Sequence, residues 1–599
     1  MAGDERPGPS PSAVDGGKAP AGQREPGTGR SGPATGERDP GRTGPVAGAR
    51  APMDPVTWGI ALVTFIAYDT ISVFRYLRLD PGSWDLGIFT EYVKQLAHLH
   101  APVVSIRGAG FNLLGDHFQP IVGLLVPLFR VFPTPETLLV AQALLTAASV
   151  IPVCRAAQEL LGTWASRGIG LAYGFSWGLQ QMVNFDFHEI AFAVPLLAFS
   201  LSALVRRRPR PAILWALPLV FVKEDQGFTV AAIGLVMAGM GLVMLARGDD
   251  PPGTPRWLTA PFLRHGAVAR PAGARHGAAE QEPGVWIRGG VLLAVWGLAW
   301  SVLAIAVIIP HFNPMHHYPY WYDGGVVGPG AHASVSGLAH QVIQSGHEKL
   351  WTTFLILLPV AFLALRSPLV LIALPSLALR FISTNSYFWG TSWHYDATVM
   401  PIVFLAAVDG MARFRASSQR RALLARGDDP PDPPDGLRPG SSVTGPGPLA
   451  RGARRRGTAR LPAPGVAVAR YGAAVMVVIA VWLAFRFPLD TLWSSQTYDI
   501  SSHVSAENAA IARVPNGVTV ETTLSMLAPL AAKDDTYWIG ITPNPAPDYV
   551  VFDETNSGYS PPPANVLTFI EQRHPGWAYL RVFTDDGVDV YRRVGRTGG

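Results

Sequence analysis

The chain has 599 residues, of which 48% are hydrophobic and 15% charged, with a formal net charge of +5. Its mean hydropathy is positive, and apolar runs near spanning length alternate with Arg/Pro/Gly-rich stretches, which excludes an ordinary soluble enzyme. The basic residues lie between apolar runs rather than on a face with interleaved aromatics, which argues against nucleic acid; the single cysteine, Cys154, excludes an internal disulfide and a Cys-rich zinc site.

Residues 1–54 begin with fifty residues almost free of large apolar side chains. They are expected to form a disordered cytoplasmic tail, since they cannot bury enough surface to offset chain entropy. They contain no apolar h-region of a signal peptide, so insertion is expected to start at the first spanning run, Val56–Phe74. A polar stretch, Arg75–His117, and a short apolar piece, Phe118–Phe132, come next. The following runs are Leu138–Leu161, Ala165–Val183, Ile190–Val205, Pro211–Val222, Phe228–Ala246 and Val291–Pro310. Trp351–Leu365, Pro368–Ile382, Thr398–Met411 and Tyr471–Phe487 complete the series. Several fall short of the roughly 20 residues a straight span needs, and Pro211–Val222 reads as a half-helix.

Loop arginines give the orientation. The strongest clusters are Arg206, Arg207, Arg208 and Arg210, then Arg247 to Arg288, then Arg413 to Arg470. With a cytoplasmic amino terminus and Phe118–Phe132 re-entrant or juxtamembrane, about eleven crossings put all three clusters inside. The core then spans residues 55–412, a disordered Arg/Pro/Gly-rich cytoplasmic loop covers 413–470, and a last helix covers 471–487. The polar stretches left outside carry Asp85, Asp116-His117, Asp186-Phe187-His188-Glu189, Lys223-Glu224-Asp225, His316-His317 and His394-Tyr395-Asp396. Only basic residues entered the orientation, yet the acids and histidines sort to one face.

The tail, 488–599, changes character. Val518–Thr522, Thr536–Ile541 and Asp548–Phe552 read as short strands, and Tyr579–Thr584 and Val588–Val594 flank Asp585-Asp586-Gly587, a strong hairpin signal. A small extracytoplasmic α/β domain is expected.

Two readings apply to each polar cluster. Asp85 opens an amphipathic interfacial helix, marked by Phe89, Val93, Leu96 and Leu99 at helical spacing, so it either caps that helix or favours its amino-terminal dipole, or it is a general base beside the bilayer. Asp186, His188 and Glu189 make either a solvated turn or a partly buried site among Phe185 and Phe187, where ionisable groups at membrane depth point to function. Lys223 either pairs with an acid or holds the phosphate of a lipid-linked substrate. His311, His316 and His317 lie among Tyr318, Tyr320, Trp321 and Tyr322, which reads as an interfacial belt; a zinc site shared with Glu189 or Asp396 is the alternative.

Asp85-Leu86-Gly87-Ile88-Phe89, Asn112-Leu113-Leu114-Gly115-Asp116-His117-Phe118, Phe185-Asp186-Phe187-His188 and Val222-Lys223-Glu224-Asp225 resemble the blocks of a bacterial membrane-protein family, domain of unknown function 2079. Its layout is similar to that of the C-type glycosyltransferases, which move a sugar from a polyprenyl-phosphate carrier to an outside acceptor. The resemblance implies a multi-pass plasma-membrane protein with a polyprenyl-phosphate-linked sugar, membrane lipid and a cell-envelope acceptor as partners. It makes Asp85 the first-loop catalytic acid, with Asp116 as the alternative base. His117, Asp186, His188, Glu189, Lys223, Glu224, Asp225 and His394 are the candidate substrate-binding residues. Many members of that superfamily carry two adjacent acids in the first loop, whereas here Asp85 stands alone until Glu91, which leaves use of a divalent metal open. A transporter or flippase of a lipid-linked substrate and a non-catalytic envelope scaffold are the other classes. No internal repeat supports the transporter, and Asp69 is the main ionisable group inside a span.

Overall fold

The computed structural model describes residues 52–246, 282–322, 340–424, 464–541 and 543–596. The amino-terminal tail and most of the two Arg-rich loops lie outside the described residues. Apolar helices build the first part of the chain: α1 (Val56–Leu77), α2 (Asp85–Ala97), α3 (Val126–Val131), α4 (Glu136–Leu161), α5 (Thr163–Gly174), α6 (Trp177–Asn184), α7 (Ile190–Val205), α8 (Pro209–Ala216), α9 (Gln226–Ala246) and α10 (Pro283–Leu303). Helices Gly346–Leu357, Leu374–Ile382, Val399–Leu424 and Pro464–Ala484 follow.

Among the described residues, five helical segments are long and apolar enough to cross a membrane, and five apolar segments are shorter. The other apolar runs of the expected eleven are shorter or broken helices. The Ala165–Val183 run breaks at Phe175 and Ser176 into α5 and α6. The Trp351–Leu365 run leaves the α-helix at Leu357, and Ala361 and Phe362 turn through left-handed backbone at φ 48° and 60°. Phe118–Phe132 forms a 3-10 turn and then the short α3, so it has no full spanning helix of its own. The helix entering the second Arg-rich loop runs on to Leu424, beyond the sequence boundary at 412.

The outward face of α1 carries Leu62, Val63 and Ile66 more than half exposed, a surface suited to acyl chains rather than water. Inside, α9 and α10 meet through glycines. A Cβ on Gly234 would lie 2.4 Å from the carbonyl oxygen of Gly290, and one on Gly227 would lie 2.3 Å from that of Gly297. Without an apolar driving force in lipid, such backbone contact supplies the packing.

Arginines gather at one end of the bundle. Arg206 pairs with Glu159, Arg167 with Asp54, and Arg413 with Asp409, while Arg415 reaches the Leu160 carbonyl. Glu189 and Arg206 flank the 16 residues of α7, which separates this end from the acidic loops by about 24 Å.

The carboxy-terminal part is the expected α/β domain, with a five-stranded sheet of order β2-β1-β3-β5-β4. The strands are β1 (Thr519–Thr522), β2 (Asp535–Trp538), β3 (Tyr549–Asp553), β4 (Trp577–Asp585) and β5 (Val588–Arg596). The first three are parallel and the β4–β5 hairpin is antiparallel. Asp586 and Gly587 at its turn both have positive φ, as a two-residue hairpin with right-handed strand twist requires. This domain packs against α2. Trp84 meets Trp538 edge to face at 4.7 Å, the Lys94 ammonium donates to the Asp534 carbonyl, and Leu527, Ala528 and Ala531 join the membrane core cluster. Gly87 permits the contact, since a Cβ there would lie 2.9 Å from Ile106 and 3.3 Å from Leu527.

Candidate functional site

The site begins with a loop fixed from behind. Asp186 has φ 72°, an uncommon conformation for a residue with a Cβ. Its carbonyl accepts from Gln142 at 2.6 Å, and its carboxylate accepts from the backbone N–H groups of Gly82 and Ser83 at 2.8 and 3.2 Å. The chain entering α2 is thereby pinned, and Asp85 becomes the first residue of that helix. Trp84 holds the cap position, and Asp85 is the acid of the first turn, where the helix dipole favours its charge. Its carboxylate accepts from the Ser83 hydroxyl at 2.8 Å, and the same hydroxyl oxygen accepts from the Asp85 N–H at 3.0 Å.

A cavity of about 580 Å3 opens in front of Asp85. Asp116, His117, His188, Glu189, Lys223, Glu224, Asp225 and His394 all line it. Nine of the ten candidate residues therefore meet at one place, although they come from four separate loops. Asp186 is the exception: it is not on the lining and holds the loop from behind.

Most charges in the cavity are already matched. Lys223 lies 3.1 Å from Glu189, and His188 Nδ1 lies 2.8 Å from the other Glu189 oxygen. Glu224 accepts from His117 Nδ1 at 2.7 Å, from the Tyr318 hydroxyl at 3.0 Å and from the Phe118 N–H at 3.1 Å. Asp116 accepts from Arg107 at 3.0 Å and from Tyr320 at 3.2 Å. Asp85 and Asp225 are the exceptions: among the described residues, each takes a side-chain hydrogen bond from a neutral neighbour and makes no ion pair within 4 Å. This separates Asp85 from Asp116, whose charge Arg107 already engages.

Burial and charge shape the acidities. Burial pushes Asp85 above its ordinary value against the pull of His188, and raises Asp225 against the pull of Lys223. Burial pushes Asp186 up to about 6, with Arg75 and the two loop N–H groups opposing it. Glu189 behaves oppositely. Burial resists its ionisation, but His188 and Lys223 hold it well below the usual carboxylate range. Burial would also discharge Lys223, and Glu189 with Glu224 keeps it charged.

Two further features face the cavity. Both ring nitrogens of His394 are buried without a hydrogen-bond partner among the described residues, and the ring stacks on His188 at 3.6 Å. Such groups are costly unless something supplies a partner. Ile305, also at the wall, lies in a π-helical turn, Ala304–Ile308, continuing α10.

Sequence reasoning missed Arg107 and Arg380. Arg107 sits 4.9 Å over the Trp84 ring and anchors Asp116. Arg380 pairs with Asp396 at 2.7 Å within an apolar segment, and a lone charge inside such a run was the available signal. The aromatic stretch contributes Tyr318 and Tyr320 rather than its histidines: His311 and His316 are exposed, and Glu189 and Asp396 are committed to Lys223 and Arg380. Among the described residues, His311, His316 and His317 form no cluster of metal-ligand type with Glu189 or Asp396.

The model of a predicted membrane-protein family, DUF2079, matches residues 75–426. The chain belongs to that family. The matched region of this DUF2079 protein contains every candidate residue named above. No match is found among proteins of curated function. Two solved structures are similar to the chain: ArnT from Cupriavidus metallidurans bound to undecaprenyl phosphate, at 12% identity and a TM-score of 0.42, and the same protein in the apo state, at 13% and 0.43. Each comparison covers 90% of this chain and 97% of the solved one.

Proposed function

We propose that this protein transfers a glycosyl group from a polyprenyl-phosphate carrier to an acceptor hydroxyl at the extracytoplasmic face of the plasma membrane. The observation that carries the reading is the convergence of Asp85, which makes no ion pair, with a matched array of fixed charges on one cavity. Asp85 takes the acceptor proton as the acceptor oxygen bonds to the anomeric carbon. The bond from that carbon to the phosphate oxygen breaks, and the carrier phosphate departs with the electron pair. His394, with no other hydrogen-bond partner among the described residues, and Lys223 at the same wall are the groups able to meet that anion. Asp225, also on the lining, is a hydrogen-bond acceptor for sugar hydroxyls.

A second, mainly apolar cavity of about 950 Å3 runs along α9 and the Leu371–Ala378 segment, with Arg207 and Arg413 among its lining residues. The first cavity uses the same two elements through Gln226, Phe228, Ser376 and Leu379. An isoprenoid chain along that wall would leave its phosphate beside the polar cavity.

Purified protein supplied with a polyprenyl-phosphate sugar and a mixture of envelope glycans is expected to release polyprenyl phosphate. Movement of the intact carrier between leaflets without cleavage would assign a flippase instead, and neither event would leave a scaffold.

The orientation follows from the arginine-rich end facing the cytoplasm. In a Cys154→Ser background, an impermeant thiol reagent on intact cells is expected to label Ser392→Cys and Ser495→Cys, both exposed, and to spare Arg210→Cys. Labelling of Arg210→Cys alone would reverse the orientation and remove the extracytoplasmic acceptor.

A further inference from the structure

The carboxy-terminal domain holds a polar cluster that the membrane cavity does not use. His503 and Glu507 are one turn apart on the helix Ser502–Arg513, and Asp553 ends β3. One donor atom from each lies within 4.8 Å of the others, and among the described residues no other group of this kind is found.

The hydrogen bonds show what this cluster needs. His503 Nδ1 lies 2.9 Å from the Asp586 carbonyl oxygen, which can only accept, so Nδ1 carries a proton. A neutral ring then presents its Nε2 lone pair, 3.3 Å from Asp553 Oδ1 and 2.9 Å from the Thr555 hydroxyl. The Thr555 hydroxyl has one proton to share between that lone pair and Asp553 Oδ1, 2.6 Å away, and the Thr555 N–H donates to the same Asp553 oxygen at 2.8 Å. Asp553 Oδ2 is buried with no partner among the described residues, and Asp553 and Glu507 are 0% and 2% exposed. An imidazolium proton would satisfy one contact and leave the second Asp553 oxygen unmatched beside another buried carboxylate.

We propose that His503, Glu507 and Asp553 bind a first-row divalent transition cation, with zinc the best fit. One imidazole and two carboxylates suit zinc better than the all-oxygen shells of calcium or magnesium. Donors about 2.0–2.1 Å from a tetrahedral ion sit about 3.3 Å apart, the His503–Asp553 separation seen here. The backbone carbonyl on Nδ1 is the outer contact that fixes a ligating histidine in the correct tautomer. The ion would tie the helix to the end of β3 and, through Asp586, to the hairpin turn. Three protein ligands leave a fourth position, reached past a His503 side chain that is 27% exposed.

The test uses full-length protein in lipid nanodiscs, stripped with a chelator, dialysed against zinc and analysed for metal. The unmodified chain is expected to hold one more zinc per chain than Glu507→Gln or His503→Gln, while Asp85→Asn keeps it. Equal metal in all four proteins, or loss from Asp85→Asn alone, overturns the proposal. A readout independent of the variants is cobalt loading of the unmodified chain, expected to give visible d–d absorption that zinc abolishes. Uptake of neither metal, or saturation by calcium or magnesium with indifference to zinc, overturns it whether or not the variants fold.

Discussion

Asp85→Asn is expected to leave the protein at normal membrane abundance and to lower glycosyl transfer by roughly a hundredfold or more, the usual consequence of removing a general base. Asparagine keeps the size and one acceptor oxygen for Ser83, so the start of α2 survives. A capping role would predict near-normal activity, since Asn caps as well as Asp. The comparison with Asp116→Asn decides between the two candidate bases. Asp116 holds Arg107 and Tyr320, so its loss is expected to disturb the loop and reduce abundance before it reduces turnover. A stable, inactive Asp116→Asn beside an active Asp85→Asn would move the base. The unmodified protein gives a second readout. Burial raises Asp85, so the acid limb of its kcat/KM profile is expected above the ordinary aspartate value, activity falling as pH drops through it. That limb is absent if Asp85 is not the base.

Lys223→Met is expected to destabilise the fold by about 3–5 kcal/mol, because it strips the cation from Glu189 and leaves a fully buried carboxylate with His188 alone. The measurement is the unfolding transition in a mild detergent. Adding Glu189→Gln removes the orphaned charge and is expected to restore most of the loss, the coupling that residues in one network show. The double variant also separates the two roles of Lys223. If it is stable yet inactive, the ammonium serves the carrier phosphate as well as Glu189; if stable and active, the pair is structural.

The sequence carried the site further than the helices. Arginine positions alone sorted Asp85, Asp116, His188 and Lys223 to one side, and the structure brings these residues to one cavity. That succeeds because a charge at membrane depth has few places to go, so residue type constrains position strongly. Helix continuity was less legible. Hydropathy averages over a window and is blind to backbone, so the break after Gly174 and the left-handed turn at Ala361 and Phe362 passed as uninterrupted runs. Pairing was hidden for a different reason. Gln142 and Asp186, or His117 and Glu224, are far apart in sequence, and nothing local announces that one holds the other. The glycines Gly227 and Gly234, seven apart on α9, were a readable signal of close helix contact that composition alone passes over.

The packing of the tail domain on α2 has a consequence for genetics. The helix that begins at Asp85 has one side against the bundle and the other against Leu527, Ala528 and Trp538. Removing the tail therefore strips the outer support from α2 and uncovers an apolar strip together with the buried Lys94. A frameshift or protease cut between Thr398 and Thr519 should thus score as a loss of turnover, even with every cavity residue intact. Complementation with truncated alleles cannot divide this protein into a membrane part and an appendage, because the seat of α2 is set by residues more than four hundred positions downstream.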